Sequence, residues 1–354
     1  MWSRRKPPFQ VLYKEDDCFY EVVSPLGVTV ARFFKKKQIP FRDIEKDGIT
    51  YSFLDEWLLC KEQARLSYVE GWASSNFSTA LTFGIVFHDC LEWIAKGRSP
   101  KTIRWKILNP FYEKRSVKMD KLEKEKLAII LSTVEIVFKE YAKHWESHDR
   151  EFSYLFHEKS FQVNHMTDAG YAIPLRGRWD AAYIDSQNKL WLMENKTKGQ
   201  IDEEGIMTAL PQDLQTMLYV HALQKHTGRE VAGVLYNVIR RPLLRQKKSE
   251  TVMEFTTRVQ DDILTRPSYY FMRWKVELLQ EDITNWVNRT LNPILNQVAL
   301  WWQGIKDDPF DPWGSPQHFQ NPSALFTKYG KSRYFNLLTR GSTEGLYKRT
   351  NGGN

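Results

Sequence analysis

Asp180, Glu194, Lys196 and His88 are the residues of this chain whose types and spacing could act together chemically. Asp180 closes Gly177-Arg178-Trp179-Asp180, and Glu194 and Lys196 flank Asn195 at the end of an apolar run. Gln215 and Tyr219 follow, four residues apart, in Gln215-Thr216-Met217-Leu218-Tyr219. Two carboxylates and a backbone carbonyl are the oxygen ligands a hard divalent cation needs to assist phosphodiester hydrolysis, by acidifying a bound water and neutralising charge that builds on phosphorus. A lysine close to such carboxylates keeps its charge, orients the attacking water and stabilises the transition state. Lys196 fits that role.

The elements that must position these groups can be read locally. Residues 189–196 form a strand-length apolar run between the turn-forming Asp185-Ser186-Gln187-Asn188 and Gly199. Side chains alternate along a strand, so Glu194 and Lys196 point to one side, while Asn195 points away and leaves its carbonyl near them. Residues 176–184 read as the preceding strand of a hairpin, which sets Asp180 beside Glu194. Asp185 lies an odd number of residues from Asp180, on the opposite face, and reads as a turn residue. Glu-x-Lys also arises by chance as an ordinary ion pair. However, an apolar strand ending in two charges on one face would bury them at a cost without a partner or metal.

Residues 210–226 have helical periodicity, with Leu214, Met217, Leu218 and Ala222 as the apolar stripe and Gly228 as the stop. Gln215 and Tyr219 stack on one flank, where an amide and a hydroxyl can hold a phosphate oxygen, a coordinated water or the catalytic lysine. Residues 79–96 form a second helix in which Leu81, Ile85, His88, Leu91 and Ala95 share a face expected to point inward, and Gly84 permits close approach of a neighbour. A histidine there serves as a hydrogen-bonded core residue or as a neutral metal ligand, and the company of the other motifs favours the ligand.

These motifs, in this order, resemble the RecB-like exonuclease branch of the PD-(D/E)XK nuclease superfamily. That pattern is a helical His, a Glu opening a strand, Gly-x-x-Asp, a hydrophobic strand ending Glu-x-Lys, and a helix with Gln-x-x-x-Tyr. Here the positions are His88, Glu158, Gly177 with Asp180, Glu194 with Lys196, and Gln215 with Tyr219. The resemblance implies a restriction-endonuclease-like α/β core with helical additions at both ends. It also implies that His88, Asp180, Glu194 and the Asn195 carbonyl bind Mg²⁺ or Mn²⁺, that Lys196 is catalytic and that Glu158 is a possible further ligand. Several relatives join the two ends of the domain with an iron–sulfur cluster. Cys60 sits where the first thiolate would be, but residues 321–338 contain no Cys and the other two are Cys18 and Cys90, so no four-thiolate cluster is expected. Packing by Leu325, Phe326, Tyr329, Tyr334, Phe335 and Leu338 would hold that end instead.

Bulk properties agree. A chain of 354 residues with 13 Trp can bury a substantial core, and three irregularly spaced cysteines suggest a reducing compartment. No apolar run is long enough to span a bilayer, which points to a soluble protein with no membrane partner, and the resemblance implies the cytoplasm of a bacterial host. A net charge of +8 and a pI near 9.1 suit a polyanion such as DNA. The densest basic clusters are Lys35-Lys36-Lys37 and the run carrying Arg240, Arg241, Arg245, Lys247 and Lys248. The second would leave a strand at residues 231–239 as a loop. It could be ordinary solvated charge, but its arginines, which fork onto phosphate, favour a grip on the DNA backbone.

The expected organisation is an N-terminal extension over 1–50, a nuclease core over 51–240 and a basic loop, long helix and irregular tail over 241–354. The core would be a mixed sheet of four or five strands flanked by helices, including a long charged helix at 118–145. A helix near 269–302 would be kinked or split at Pro293. The resulting expectation is Mg²⁺- or Mn²⁺-dependent DNA hydrolysis, exonucleolytic, in phage or bacterial recombination, repair or replication, with an annealing or replication protein as a possible partner. The alternatives are a structure-selective or nicking endonuclease with the same site and a non-catalytic DNA-binding or assembly module on a nuclease fold.

Overall fold

Alternating and continuously apolar stretches pair into a five-stranded sheet of β1 (Ser153–Met166), β2 (Ala172–Ile184), β3 (Leu190–Lys198), β4 (Val231–Arg240) and β5 (Phe271–Glu277), in that order. The computed structural model describes residues 10–14, 19–23, 29–34, 40–307, 320–327 and 330–349. Lys35-Lys36-Lys37, Cys18, Tyr329 and the terminal Asn351-Gly352-Gly353-Asn354 lie outside these. All neighbouring strands are antiparallel except β3 and β4. A parallel pair needs a crossover, and the helical stretch between those strands supplies it. The interior strand β4 is buried along nearly its whole length, as a strand covered on both faces must be.

Four helices matter most for the site: α1 (Thr79–Ala95), α2 (Lys121–Asp149), α3 (Leu214–Thr227) and α4 (Val252–Thr265). Phe87 of α1 makes edge contacts with Phe138 and Tyr141 of α2, each at 5.6 Å between ring centres, and Tyr141 makes another with Phe271 of β5. Phe255, Val259 and Ile263 of α4 join the same apolar cluster. α3 covers the other face. Lys196 reaches Gln215 of α3, whereas its neighbour Asn195 bonds Asn237, which in turn bonds Tyr141 of α2. Side-chain alternation on β3 therefore separates the two layers.

The chain groups into two compact units. One comprises 44–55 and 75–296, and the other the described residues of 1–43, 56–74 and 297–354. The first contains the sheet and the four helices. In the second, an antiparallel meander of Gln10–Lys14, Phe19–Val23 and Thr29–Phe34 accompanies a strand pair, Trp72–Ser74 with Leu346–Lys348. Tyr334 is fully buried there, its hydroxyl 2.9 Å from the Trp72 carbonyl and 2.8 Å from Ser67 Oγ. Cys60 Sγ accepts a hydrogen bond from the Asn321 N–H at 3.4 Å, and the Asn321 amide donates to the Leu59 carbonyl at 2.8 Å. Of the expected apolar set, Tyr334 is buried, Leu325, Phe335 and Leu338 are half-buried, and Phe326, 59 % exposed, meets the Phe335 ring at 5.0 Å. Among the described residues, no helix is long and apolar enough to cross a membrane.

Several elements differ from the sequence reading. The helix expected at 269–302 is broken: a short helix Pro267–Tyr270 gives way to strand β5, and helix resumes over Gln280–Trp286 and Asn292–Asp307, joined by a π-helical turn Val287–Leu291. Pro293 closely follows that π-turn, in which the Asn292 N–H bonds the Val287 carbonyl, and the widened turn accommodates a residue that has no N–H to donate. Hence the sheet includes a strand from beyond residue 240. α4 is an addition to the expected elements, although Thr251 and Glu254 form a reciprocal capping box at its start. α3 starts at Leu214, because Pro211 sits in a separate short turn and Asp213 caps the helix by accepting from Thr216 N. On α1, Leu81 and Ile85 are 64 % and 47 % exposed, not inward. The buried stripe is Phe83, Val86, Phe87, Cys90 and Leu91, because two aromatic rings bury more area than the competing aliphatic stripe. That rotation puts His88 at the rim of the helix interface.

Candidate active site

β2 and β3 form the expected hairpin, and Asp185 organises its turn. Its Oδ1 accepts from the Gln187 and Lys189 N–H groups and its Oδ2 from Trp191 Nε1, all at 2.9 Å. The ladder runs from Ile184↔Leu190 to Ala181↔Met193 and stops there. Asp180 and Glu194 are the next residues, so they sit where the strands part and side chains have room to converge. The Asn195 N–H reaches across and donates to Asp180 Oδ2 at 2.6 Å.

Glu158 comes from β1. Its neighbours pair as His157↔Ala181 and Lys159↔Trp179, which places Glu158 opposite Asp180, yet that pair is missing from the ladder. Glu158 has φ +45°, a left-handed conformation that a non-glycine residue adopts at a cost of about 1–3 kcal/mol. The local distortion turns its carboxylate towards His88. Gly177, one position before Arg178, is required by close packing: a Cβ there would lie 2.6 Å from Phe161 Cζ and 3.0 Å from Tyr219 Cε1. Gly84 brings α1 onto β3, because its absent Cβ would sit 3.1 Å from Thr197 Oγ1.

His88 Nδ1 lies 3.4 Å from Asp180 Oδ1 and 3.7 Å from Glu158 Oε1. One ligand atom from each of the three residues falls within 4.8 Å of the other two, a spacing that can hold a metal ion. Burial disfavours the His88 cation, but the Asp180 and Glu158 carboxylates outweigh it and raise its pKa to about 10. Burial, the largest influence, raises the pKa of Glu158, assisted by Asp180 and opposed by His88 and Arg178. Arg178 grips this acid from outside, with Nε 2.9 Å from Glu158 Oε2 and Nη2 2.6 Å from Glu92 Oε2.

Glu194 and Lys196 lie beside that group. Lys196 Nζ donates to Glu194 Oε2 at 3.0 Å and to Gln215 Oε1 at 2.8 Å. Glu194 is 1 % exposed, and burial raises its pKa against the opposing pull of Lys196. For Lys196, burial works against the charge, but Glu194 and Asp180 prevail and hold its pKa above the usual lysine range. Burial likewise pushes the Tyr219 hydroxyl up to about 12, so it is a donor at neutral pH.

The donor set suits a hard divalent cation. Glu158 and Glu194 each keep a buried oxygen, Oε1, with no hydrogen-bond partner. Such orphaned carboxylate oxygens are costly unless something binds them, and oxygen with one imidazole nitrogen is the chemistry of Mg²⁺ and Mn²⁺ sites.

The structure brings His88, Glu158, Asp180, Glu194, Lys196 and Gln215 into one cluster, with Tyr219 on its flank. Asn195 enters it through its N–H, while its side chain is turned away to Asn237. The basic loop is more divided. Arg240 donates to the Tyr269 carbonyl at 2.9 Å and stacks 3.9 Å over the Tyr269 ring, so it fastens the loop's root. Arg241 is half-buried beside Gly199, whereas Arg245, Lys247 and Lys248 present exposed side chains. Sequence reasoning gives Arg178 and Asn237 no role, because their partners come from distant elements.

A family model described as the PD-(D/E)XK nuclease superfamily matches residues 49–317. No curated protein matches the chain. The matched span contains every residue of the cluster.

Proposed function

The chain belongs to the PD-(D/E)XK nuclease superfamily, and from that premise we propose that it is a divalent-metal-dependent DNA exonuclease of the RecB-like kind, acting in phage or bacterial recombination, repair or replication. The observation that carries the reading is the convergence of His88, Glu158 and Asp180 on one point, beside a Glu194–Lys196–Gln215 chain, with one buried oxygen each of Glu158 and Glu194 left without a hydrogen-bond partner.

His88, Glu158, Asp180 and Glu194 would hold Mg²⁺ or Mn²⁺, with the Asn195 carbonyl as a further donor. When bound, the ion supplies Lewis acidity towards a phosphoryl oxygen and makes water a better nucleophile near neutral pH. Lys196 stays charged, so it does not act as a general base. Its ammonium orients the attacking water and meets the negative charge of the transition state. Gln215 fixes the direction of that ammonium, and the Tyr219 hydroxyl is available to a phosphate oxygen or to solvent. Arg178 holds Glu158 on its distorted backbone. Arg245, Lys247 and Lys248 grip phosphates without reading bases, as backbone contacts carry no sequence information directly.

The test is an assay of wild type, Glu194→Ala and Lys196→Ala on end-labelled linear DNA with Mg²⁺, Mn²⁺ or chelator. Release of nucleotides from ends by wild type alone, abolished by chelator, is the expected result. Equal degradation by all three proteins would remove the assignment. Cleavage of covalently closed circles would make the enzyme an endonuclease instead, and metal-dependent DNA binding without hydrolysis would make it a binding or assembly module. An annealing or replication protein is the partner this reading suggests, in the cytoplasm of a bacterial host.

A further inference from the structure

A cavity of about 280 Å³ opens directly behind the two carboxylates that face His88. Glu158 and Asp180 belong both to the metal-holding group and to the wall of this cavity. Most of the remaining wall is apolar or aromatic: Leu91 and Ala95 of α1, Tyr141 of α2, Tyr154 of β1 and Met193 of β3 are among its residues. His157 also lines it, its ring 4.1 Å from that of Tyr154.

The charge of the wall restricts the occupant. Three carboxylates line the cavity, from Asp149, Glu158 and Asp180, and no lysine or arginine does. Asp149 is paired with Arg273 and Glu158 with Arg178, both cations outside the wall, so the lining itself offers a phosphate no positive partner. A neutral, flat group with polar edges is suited to it, because Tyr141, Tyr154 and His157 give it an aromatic lining. Among the described residues, the Tyr154 hydroxyl donates to a thioether, Met193 Sδ at 3.9 Å, a weak acceptor that a better one can replace.

Resting on the nuclease reading above, we propose that this cavity receives the base of one nucleotide flanking the scissile phosphate. The base leaves its stack and lodges between the Tyr154–His157 pair and the aliphatic wall of α1, as in other sites that pull a base into an aromatic pocket. The backbone at that nucleotide is then drawn across Glu158 and Asp180, which sets its phosphate at the metal-holding group. The cavity thus positions the bond to be cut by shape and stacking, without requiring a particular base.

The experiment uses the full chain, Mn²⁺ and labelled oligonucleotides carrying a single tetrahydrofuran abasic residue at successive positions. Wild type should cut one of the two bonds next to the abasic residue about tenfold or more slowly, the loss expected when one base–aromatic stack is removed. Bonds farther away should be cut normally. Ala95→Phe, which fills the cavity from the last turn of α1, should slow every bond by a similar factor and erase the abasic effect. Its Mn²⁺ affinity, read by calorimetry, should equal wild type. If wild type cuts at the same rate wherever the abasic residue stands, the base pocket is wrong and the nuclease reading survives. If wild type cuts none of these DNAs, the nuclease reading falls and the pocket falls with it.

Discussion

Arg65 and Lys196 are both largely withdrawn from water and both held by glutamates, yet their surroundings differ in one respect. Arg65, 4 % exposed, forks onto both oxygens of Glu62 at 2.8 Å and reaches Glu70 with its remaining nitrogen. The other oxygen of Glu70 accepts from Trp72 Nε1 at 2.8 Å. No side-chain atom of that trio is among the buried polar atoms without a partner, whereas the Lys196 region contains two, on Glu158 and Glu194. A buried ionic cluster with every valence answered is a strut. One with unanswered oxygens is a receptacle, because its design is complete only when something else arrives.

That contrast can be broken by experiment. Arg65→Met should lower stability by about 3–5 kcal/mol, since it strands two acids whose partner is gone, while leaving Mn²⁺ affinity unchanged. Urea unfolding and calorimetry on one preparation would measure both. Glu194→Gln should do the reverse, reducing cleavage about 100- to 1000-fold while Tm holds at or above the wild-type value. A large fall in Tm would show that Glu194 is a strut after all. Mn²⁺ at a hundred times its Kd should raise wild-type unfolding free energy by about 2.7 kcal/mol, and Asp180→Asn should abolish that gain.

The pH dependence sharpens the same distinction. His88 is protonated in the metal-free protein and must be neutral to bind a cation, so Mn²⁺ affinity should climb about tenfold per pH unit between pH 8 and 9, above the pKa of about 7 of Glu194 and below that of His88, where His88 supplies the one proton released. Proton release shows calorimetrically as a dependence on buffer ionisation enthalpy, and His88→Gln should flatten the profile. The metal-free protein should behave oppositely. The His88 pKa is raised above its unfolded value, so its contribution to stability is complete below about pH 6.5 and disappears as pH rises through about 10. The smallest effect is expected on the loop: replacing Arg245, Lys247 or Lys248 by Gln should weaken DNA binding evenly across sequences and reduce the salt slope by about 1 for each phosphate left without its cation.

The hairpin and α3 are legible because their signals are local: a turn sequence between two apolar runs, and a glycine, Gly228, in the left-handed conformation where the helix ends. β5 is not, because Arg273 falls where a strand would bury an apolar side chain. Its guanidinium is buried all the same, paired with Asp149 and bonded to the Tyr141 hydroxyl at 3.0 Å. The face of α1 is not settled by its own residues, since two apolar stripes compete and only docking against α2 chooses between them. Glu158 is the member of the site with the weakest sequence signal for a related reason. The feature that aims it, a single backbone angle of +45°, has no signature in His157-Glu158-Lys159. The Thr251 and Glu254 cap of α4, in contrast, has a local signature, a Thr followed three residues later by a Glu, that is sufficient to start a helix there.

That backbone angle ties one side chain's usefulness to a local penalty. Any side chain at 158 other than glycine must tolerate the same left-handed turn, with asparagine and aspartate the least disfavoured. A lineage that gave up hydrolysis would have no reason to tolerate it. Glycine or asparagine at this position in a related sequence would therefore identify a retired enzyme, even where Asp180, Glu194 and Lys196 were all still in place.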